Sequence, residues 1–208
     1  MQNVLIINSS PNIGFSKSTQ LTALFAEQLS NDFNITLRDL GTNPPQHLDQ
    51  VALSGFFTPA DQHSDTQRAA LAFSNELIAE LKAADILIIG SAMHNHSITS
   101  GLKAYFDQVA RAGITFQYGA NGPEGLLTGK QAYVITTSGG DYSLDFMKEM
   151  DFQTPYLKHI LAFIGINEVE FIPSQGSAMG PEVAARNHAV AETRIKAIGS
   201  TLSHNVAA

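Results

Sequence analysis

Short apolar runs alternate with longer amphipathic segments along the chain. Residues 4–8 and 86–90 are almost entirely apolar. Runs that are apolar at successive positions are typical of strands buried on both faces of a parallel sheet. Residues 18–30 instead place apolar side chains at the spacing of one helical face, namely Leu21, Leu24, Phe25 and Leu29.

These patterns predict five strands and five helices. The predicted strands cover residues 4–8, 35–40, 86–90, 132–136 and 169–172. The predicted helices cover residues 18–30, 68–83, 101–109, 155–164 and 181 to about 200, the last with Pro181 in its first turn. Regular alternation of strand and helix predicts a three-layer α/β sandwich with right-handed crossovers. We expect a single domain over residues 1–202 and a frayed tail at 203–208.

Two long segments interrupt the alternation. Residues 41–64 contain Phe56 and Phe57 between prolines but show no clear periodicity, and long connections of this kind are usually functional or mobile. Residues 113–130 contain a short β-like run followed by Asn121 and Gly122, which predicts a small hairpin.

Composition narrows the classes of function. The chain has 208 residues, with 12 Lys+Arg against 19 Asp+Glu for a net charge of −7, which argues against a nucleic-acid or anionic membrane surface. Cysteine is absent, which excludes disulfides, thiolate zinc sites, iron–sulfur clusters and cysteine nucleophiles. The N-terminus has no signal-peptide pattern, and no apolar run approaches the ~18 residues of a membrane span. We therefore expect a cytoplasmic protein.

The loop after the first strand is rich in hydroxyl groups and leads directly into a helix. Ser10, Ser16 and Ser18 flank Gly14 and Lys17 there. The start of a helix offers free N–H groups and a positive dipole end, so this loop is suited to a phosphate. Ser16 or Ser18 acting only as a helix cap is the alternative. The absence of Gly-x-Gly-x-x-Gly and Gly-Lys-Ser/Thr favours a single phosphate over a dinucleotide pyrophosphate.

Two further loops follow the third and fourth predicted strands. They contain Met93-His94-Asn95-His96 and Thr137-Ser138-Gly139-Gly140, groups able to line a flat aromatic ligand. The glycine pair has a tight turn as its alternative explanation. His94 and His96 lack a clear third metal ligand, so we expect no metal site. A Ser-His-Asp hydrolase is the competing enzyme class, but the chain has no Gly-x-Ser-x-Gly elbow.

Matched blocks along nearly the whole chain carry a family resemblance. They are Ser9-Ser10 with Ser16-Lys17-Ser18, Met93-His94-Asn95-His96, residues 102–107 and 110–116, residues 121–126, and residues 137–143. In this order the blocks resemble the bacterial FMN-dependent NADH-azoreductases, also called NADH:quinone oxidoreductases.

The resemblance implies a flavodoxin-like fold with a five-stranded parallel sheet in the order 2-1-3-4-5. It also implies tightly bound FMN, NADH or NADPH as co-substrate, and ping-pong transfer of two electrons to quinones and azo compounds. The family forms homodimers with the flavin at the interface. Its cofactor-binding positions fall here on Ser10, Ser16, Lys17, Ser18, Met93, His94, Asn95, His96, Thr137, Ser138, Gly139 and Gly140.

The resemblance implies no obligatory catalytic side chain. His94, Tyr142 and Phe116 are the expected substrate-pocket residues, and the aromatic residues of the two long segments are expected at the dimer interface. His94 and His96 depart from the family, which often has Tyr and Phe there. Imidazole beside a flavin would add a proton donor that titrates near neutral pH. A flavodoxin-type electron carrier without NADH turnover and a non-flavin hydrolase remain the alternatives.

Overall fold

The middle layer of the molecule is a five-stranded parallel sheet. The computed structural model describes the backbone of residues 1–207 and the side chains of residues 1–204. Its strands are β1 (Gln2–Asn8), β2 (Phe33–Asp39), β3 (Ile86–Ala92), β4 (Phe116–Gly119), β5 (Gly122–Gly125), β6 (Gln131–Thr137) and β7 (Glu168–Ser174). The sheet order is β2-β1-β3-β6-β7, and β4 and β5 pair separately. The predicted order 2-1-3-4-5 is therefore confirmed.

Six helices flank the sheet, five of which the apolar spacing predicts. They are α1 (Lys17–Glu27), α2 (Gln50–Phe56), α3 (Asp65–Ala83), α4 (Ser100–Val109), α5 (Gln153–Phe163) and α6 (Pro181–Ala207). The end predicted for the last helix, near residue 200, is too early. Helix α6 continues into the segment 203–208 predicted as a tail, of which residue 208 lies outside the described residues.

Two apolar cores lie on opposite faces of the sheet. Leu87 and Ile89 of β3 pack with α3, α4 and α5 on one face, whereas Ile86 and Ile88 pack with α1 and α6 on the other. Alternate side chains of one strand thus enter different cores, as expected for a strand covered on both faces. Fully burying one such side chain contributes about 1.5–3 kcal/mol.

The segment 41–64 contains a helix that its sequence does not reveal. Helix α2 has seven residues, with Asp49 as its N-cap accepting a hydrogen bond from the Ala52 amide at 2.7 Å. Its buried face consists only of Ala52 and Gly55, so no large apolar residues mark the helical period. Phe56 lies under the guanidinium of Arg111 at 4.8 Å, whereas Phe57 is exposed.

The predicted hairpin is confirmed, but it places Phe116, one of the expected pocket residues, away from the other expected site residues. Strands β4 and β5 connect the end of α4 to the start of β6, so the hairpin lies beside the amino ends of the sheet strands. Phe116 is only 7% exposed and packs against Phe163, with 4.4 Å between the ring centroids. Within one chain, Phe116 is thus at the opposite end of the sheet from the loops that follow β1, β3 and β6. Phe116 therefore does not line the expected pocket of its own chain, because α4 carries the chain across the sheet first.

Candidate functional site

The loops after β1, β3 and β6 converge at the carboxyl edge of the sheet. The Ser9 hydroxyl donates to the Gly90 carbonyl at 2.7 Å, and the Thr99 hydroxyl donates to the Ser9 carbonyl at 2.9 Å. The Met93 amide donates to the Thr137 carbonyl at 2.7 Å. These bonds join the three loops into one surface, which we call the loop cluster and define as residues 9–18, 91–99 and 137–142. In doubly wound sheets, ligands bind at this edge.

The first loop of the cluster leads into the start of α1. Ser16 caps the helix, since its Oγ accepts from the Thr19 amide at 3.2 Å and lies 3.1 Å from Ser18 Oγ. Both serines are buried. The first amides of a helix have no intrahelical acceptor, and Lys17 is the charged residue in this turn. Ser16 is thus a cap, and the same turn collects hydroxyl and amide donors of the kind that bind phosphate at helix starts.

Two glycines hold this loop in place, and sequence reasoning missed both. A methyl group on Gly41 would collide with the Ser10 carbonyl, and one on Gly90 would lie 2.9 Å from the Thr22 methyl. The Thr22 hydroxyl in turn donates to Asn8 Oδ1 at 2.7 Å. Helix α1 and the serine loop can therefore lie close to the sheet edge only where side chains are absent. Gly41 begins a long connection, and no local sequence signal marks its contact with Ser10.

The second loop of the cluster forms a tight turn. The His94 amide donates to the Ser97 carbonyl at 2.8 Å, and the Ser97 amide donates back to His94 at 3.0 Å. Between them, Asn95 and His96 have φ values of 48° and 66°, as a type I′ turn requires. A left-handed φ is uncommon outside glycine, although Asn and His adopt it more readily than most residues. Backbone strain of this kind concentrates at functional sites.

The turn directs His96 toward Tyr142 in the third loop. Tyr142 Oη lies 3.0 Å from His96 Nδ1, and the Tyr142 amide donates to Gln175 Oε1 at 2.7 Å. His94 is exposed and extends from the same turn. The structure therefore brings the two expected pocket residues Tyr142 and His94 to one side of the cluster and adds His96 as the partner of Tyr142.

The paired glycines of the third loop leave its backbone accessible. Gly139 and Gly140 do not have left-handed φ values. A left-handed turn is therefore not the reason for glycine at these positions. A methyl group on Gly139 would meet only Ala178, at 3.5 Å. The loop after β7 supports this segment, because the Ser177 amide donates to the Ser138 carbonyl at 3.1 Å.

Two residues at the start of α5 contact the loop cluster and have no recognisable sequence signal. The Phe152 amide donates to the His96 carbonyl at 2.9 Å, and the Phe152 side chain is 61% exposed. The buried Gln153 side chain donates from Nε2 to the Ser91 carbonyl and to Ser91 Oγ, both at 3.0 Å. Gln153 fixes the end of β3, and Phe152 adds an aromatic surface beside the turn.

The phenols that burial perturbs lie outside the cluster. Burial raises the pKa of Tyr105, and burial, with a smaller contribution from the Asp107 carboxylate, raises the pKa of Tyr156 to about 12. Both phenols stay protonated at neutral pH, so neither serves as a base. Among residues 1–204, no three His, Asp or Glu side chains are grouped to hold a metal ion. No helix in the described part of the chain is long and apolar enough to cross a membrane.

Comparison with known proteins agrees with this geometry. A model of the flavodoxin-like fold family matches residues 2–198. The FMN-dependent NADH:quinone oxidoreductase of Escherichia coli K12 is 47% identical over 204 residues, covering 96% of this chain and 100% of the relative. That of Herminiimonas arsenicoxydans is 46% identical over 196 residues, covering 93% and 95%.

A solved structure extends the similarity to three dimensions. It is the crystal structure of an FMN-dependent NADH-azoreductase from Bacillus anthracis strain Ames Ancestor in complex with FMN. The TM-score is 0.88 at 27% sequence identity, and the match covers 98% of this chain and 100% of that one.

Proposed function

The chain belongs to the family of FMN-dependent NADH:quinone oxidoreductases, and on that premise we propose that its loop cluster binds FMN and one substrate at a time. The protein is an oxidoreductase that uses FMN and NADH to reduce quinones and azo compounds. The observation that carries the proposal is the capped start of α1, whose buried serines lie on the same edge as the open backbone of the third loop. That arrangement fits a phosphate at one end and a flat ring at the other.

Hydroxyl and amide donors hold the phosphate end of the cofactor in this proposal. Ser10, Ser16 and Ser18 supply hydroxyls, the first amides of α1 supply N–H groups, and Lys17 supplies the positive charge. A helix end and hydroxyl groups need little formal charge to bind a phosphate. The net charge of −7 is therefore compatible with a phosphorylated cofactor.

The ring end of the cofactor lies against the second and third loops in this proposal. Residues 93–96 would hold the isoalloxazine, and the backbone of Thr137, Ser138, Gly139 and Gly140 would face its polar edge. Bound FMN supplies the chemistry, accepting hydride from NADH and passing it to the acceptor. The side chains position the cofactor and substrate and exclude water. Because NADH and acceptor use one open face in turn, we expect ping-pong kinetics.

Tyr142, His96 and Phe152 form the wall beside that face. The Tyr142–His96 contact of 3.0 Å orients the imidazole, and the exposed Phe152 ring offers a stacking surface for a flat acceptor. A quinone becomes a hydroquinone by taking up protons as well as electrons. We propose that His96 provides one of these protons, with Tyr142 holding its ring in position.

Replacing His96 with asparagine tests the proton role. Asparagine also adopts a left-handed φ, so the turn is kept while the imidazole is lost. We expect quinone reduction to slow by about tenfold, less than the ~10²–10⁴ of a typical general acid because water reaches this exposed position. The pH dependence of the rate of quinone reduction should also flatten. Stopped-flow oxidation of the reduced enzyme by menadione at several pH values measures both, with His47→Asn as the control. An unchanged pH profile would rule out the proton role.

A homodimer completes this proposal. Several aromatic side chains are largely exposed in the single chain, among them Phe57, Tyr118 and Phe146. Exposed aromatic groups of this kind favour interfaces and ligand sites. Tyr118 lies on the β4–β5 hairpin, far from the loop cluster of its own chain. A partner chain would cover that hairpin and the aromatic groups of the long segments.

Steady turnover distinguishes the enzyme from a flavodoxin-type carrier. An oxidoreductase consumes NADH continuously when menadione or methyl red is present, whereas a carrier has no site for NADH. The purified holoprotein should show catalytic turnover with either acceptor. A yellow, FMN-loaded protein without NADH consumption would support the carrier, and a colourless protein that ignores FMN would support a hydrolase.

A further inference from the structure

A cavity of about 440 Å³ lies between the start of α1 and the first half of α6. Its volume is within the ~300–1,000 Å³ of small-molecule sites. One wall consists of small side chains on α6, which are Pro181, Ala184, Ala185 and Ala189. Such a wall is shallow and apolar, and therefore suited to a planar ring.

The cavity is also lined by polar and charged groups. Lys17 enters from α1, and His188 and Glu192 enter from α6. His188 Nδ1 lies 3.4 Å from the buried Ser174 hydroxyl, and His188 Nε2 lies 3.5 Å from Glu192 Oε1. Since the Ser174 hydroxyl can donate to Nδ1, Nε2–H can donate to the carboxylate. The contacts from Ser174 through His188 position Glu192 at the cavity. They leave the second carboxylate oxygen of Glu192 free to accept a hydrogen bond from a ligand.

The cavity shares its walls with the loop cluster. Gln175, which lines it, accepts from the Tyr142 amide at 2.7 Å. Ser177, also in the lining, donates its amide to the Ser138 carbonyl at 3.1 Å. A ligand longer than one ring can therefore reach from the cluster into the cavity. NADH has that shape, with a reacting ring, a pyrophosphate and an adenosine.

We propose that this cavity binds the adenosine half of NADH and that Glu192 selects NADH over NADPH. The inference rests on the proposed oxidoreductase function. The adenine packs on the alanine wall of α6. Glu192 accepts a hydrogen bond from the ribose 2′-hydroxyl, the role an acidic residue has in many NAD sites. A 2′-phosphate would meet the carboxylate as a like charge.

Coenzyme preference in the FMN-loaded enzyme tests the role of Glu192. We expect Glu192→Gln to reduce the ratio of kcat/KM for NADH to that for NADPH by about tenfold, since a hydrogen bond to a charged group and a like-charge repulsion are both lost. Glu182→Gln is the control, because it removes a carboxylate from the same helix but outside the cavity lining. An unchanged ratio in Glu192→Gln, or an equal change in the control, would overturn the inference.

A shortened coenzyme provides a second, steric test. Ala185→Leu narrows the cavity from its exposed side, and we expect the KM for NADH to rise by about tenfold. Reduced nicotinamide mononucleotide lacks the adenosine, so its kinetics should not change. Ala197→Leu, exposed on the same helix outside the lining, is the control.

The outcomes distinguish a failure of the proposed adenosine site from a failure of the proposed oxidoreductase function. If Ala185→Leu affects the mononucleotide as much as NADH, or if AMP binds without competing with NADH, the cavity is not the adenosine site. If the wild-type holoenzyme oxidises no nicotinamide donor in the presence of menadione, the proposed function fails and this inference fails with it.

Discussion

Replacing Ser16 and Ser18 together with alanine is expected to weaken FMN binding by roughly two orders of magnitude. Hydrogen bonds to a charged group contribute about 1.5–3 kcal/mol each, so losing two corresponds to a hundredfold or more. The serines lie 3.1 Å apart at the cap of α1. Riboflavin has no phosphate, and its affinity should remain unchanged. Fluorescence titration of the apoprotein with FMN and with riboflavin measures both.

Ser64→Ala is the matched control for this double variant. Ser64 caps α3 with a capping box, so its loss costs about 1 kcal/mol of stability without touching the loop cluster. FMN binding should not change in this control. An equal loss of FMN and riboflavin affinity in the double variant would contradict a phosphate site at the start of α1.

Replacing Gly41 with alanine is expected to displace the serine loop and to lower FMN affinity by at least tenfold. The new methyl group would collide with the Ser10 carbonyl, so either the loop or the connection after β2 must shift. Overpacking of this kind costs about 1–3 kcal/mol of folding free energy. Chemical denaturation of the apoprotein measures the stability, and FMN titration measures the site.

Gly101→Ala is the control for Gly41→Ala. A methyl group there would lie 3.5 Å from the Leu40 carbonyl, an ordinary contact, and Gly101 lies in α4. Alanine in a helix is favoured over glycine by up to about 1 kcal/mol. This variant should therefore be as stable as the wild type or more stable, and should bind FMN normally. Normal FMN binding by Gly41→Ala would show that Gly41 does not position Ser10.

The layered fold was predictable because its signals are local. Continuous apolar runs such as residues 86–90 indicate a strand with two covered faces, and helical spacing marks the segments that cover it. Helix α2 escaped prediction because its buried face has only Ala52 and Gly55. The apolar pattern that reveals a helix depends on large buried side chains. A short helix that packs through small side chains shows no such pattern.

The candidate site was predictable only in part. Its loops could be located because each follows a predicted strand, whereas the contacts between the loops and distant segments leave no local signal in the sequence. The positions of Ser16 and of residues 93–96 follow from the ends of predicted strands. The contact of Gly41 with Ser10, and that of Phe152 with His96, connect segments far apart in the sequence. Phe116 was expected in the substrate pocket. Within one chain it lies at the end of the sheet opposite the loop cluster.

An anaerobic titration followed by absorbance tests whether the bound flavin carries electrons from NADH to a quinone. The purified protein, loaded with FMN, is titrated first with NADH and then with menadione. We expect one equivalent of NADH per flavin to bleach the oxidised flavin absorbance and one equivalent of menadione to restore it, without NADH and quinone being present together. Failure of NADH to bleach the bound flavin, or failure of menadione to restore its absorbance, would contradict this expectation.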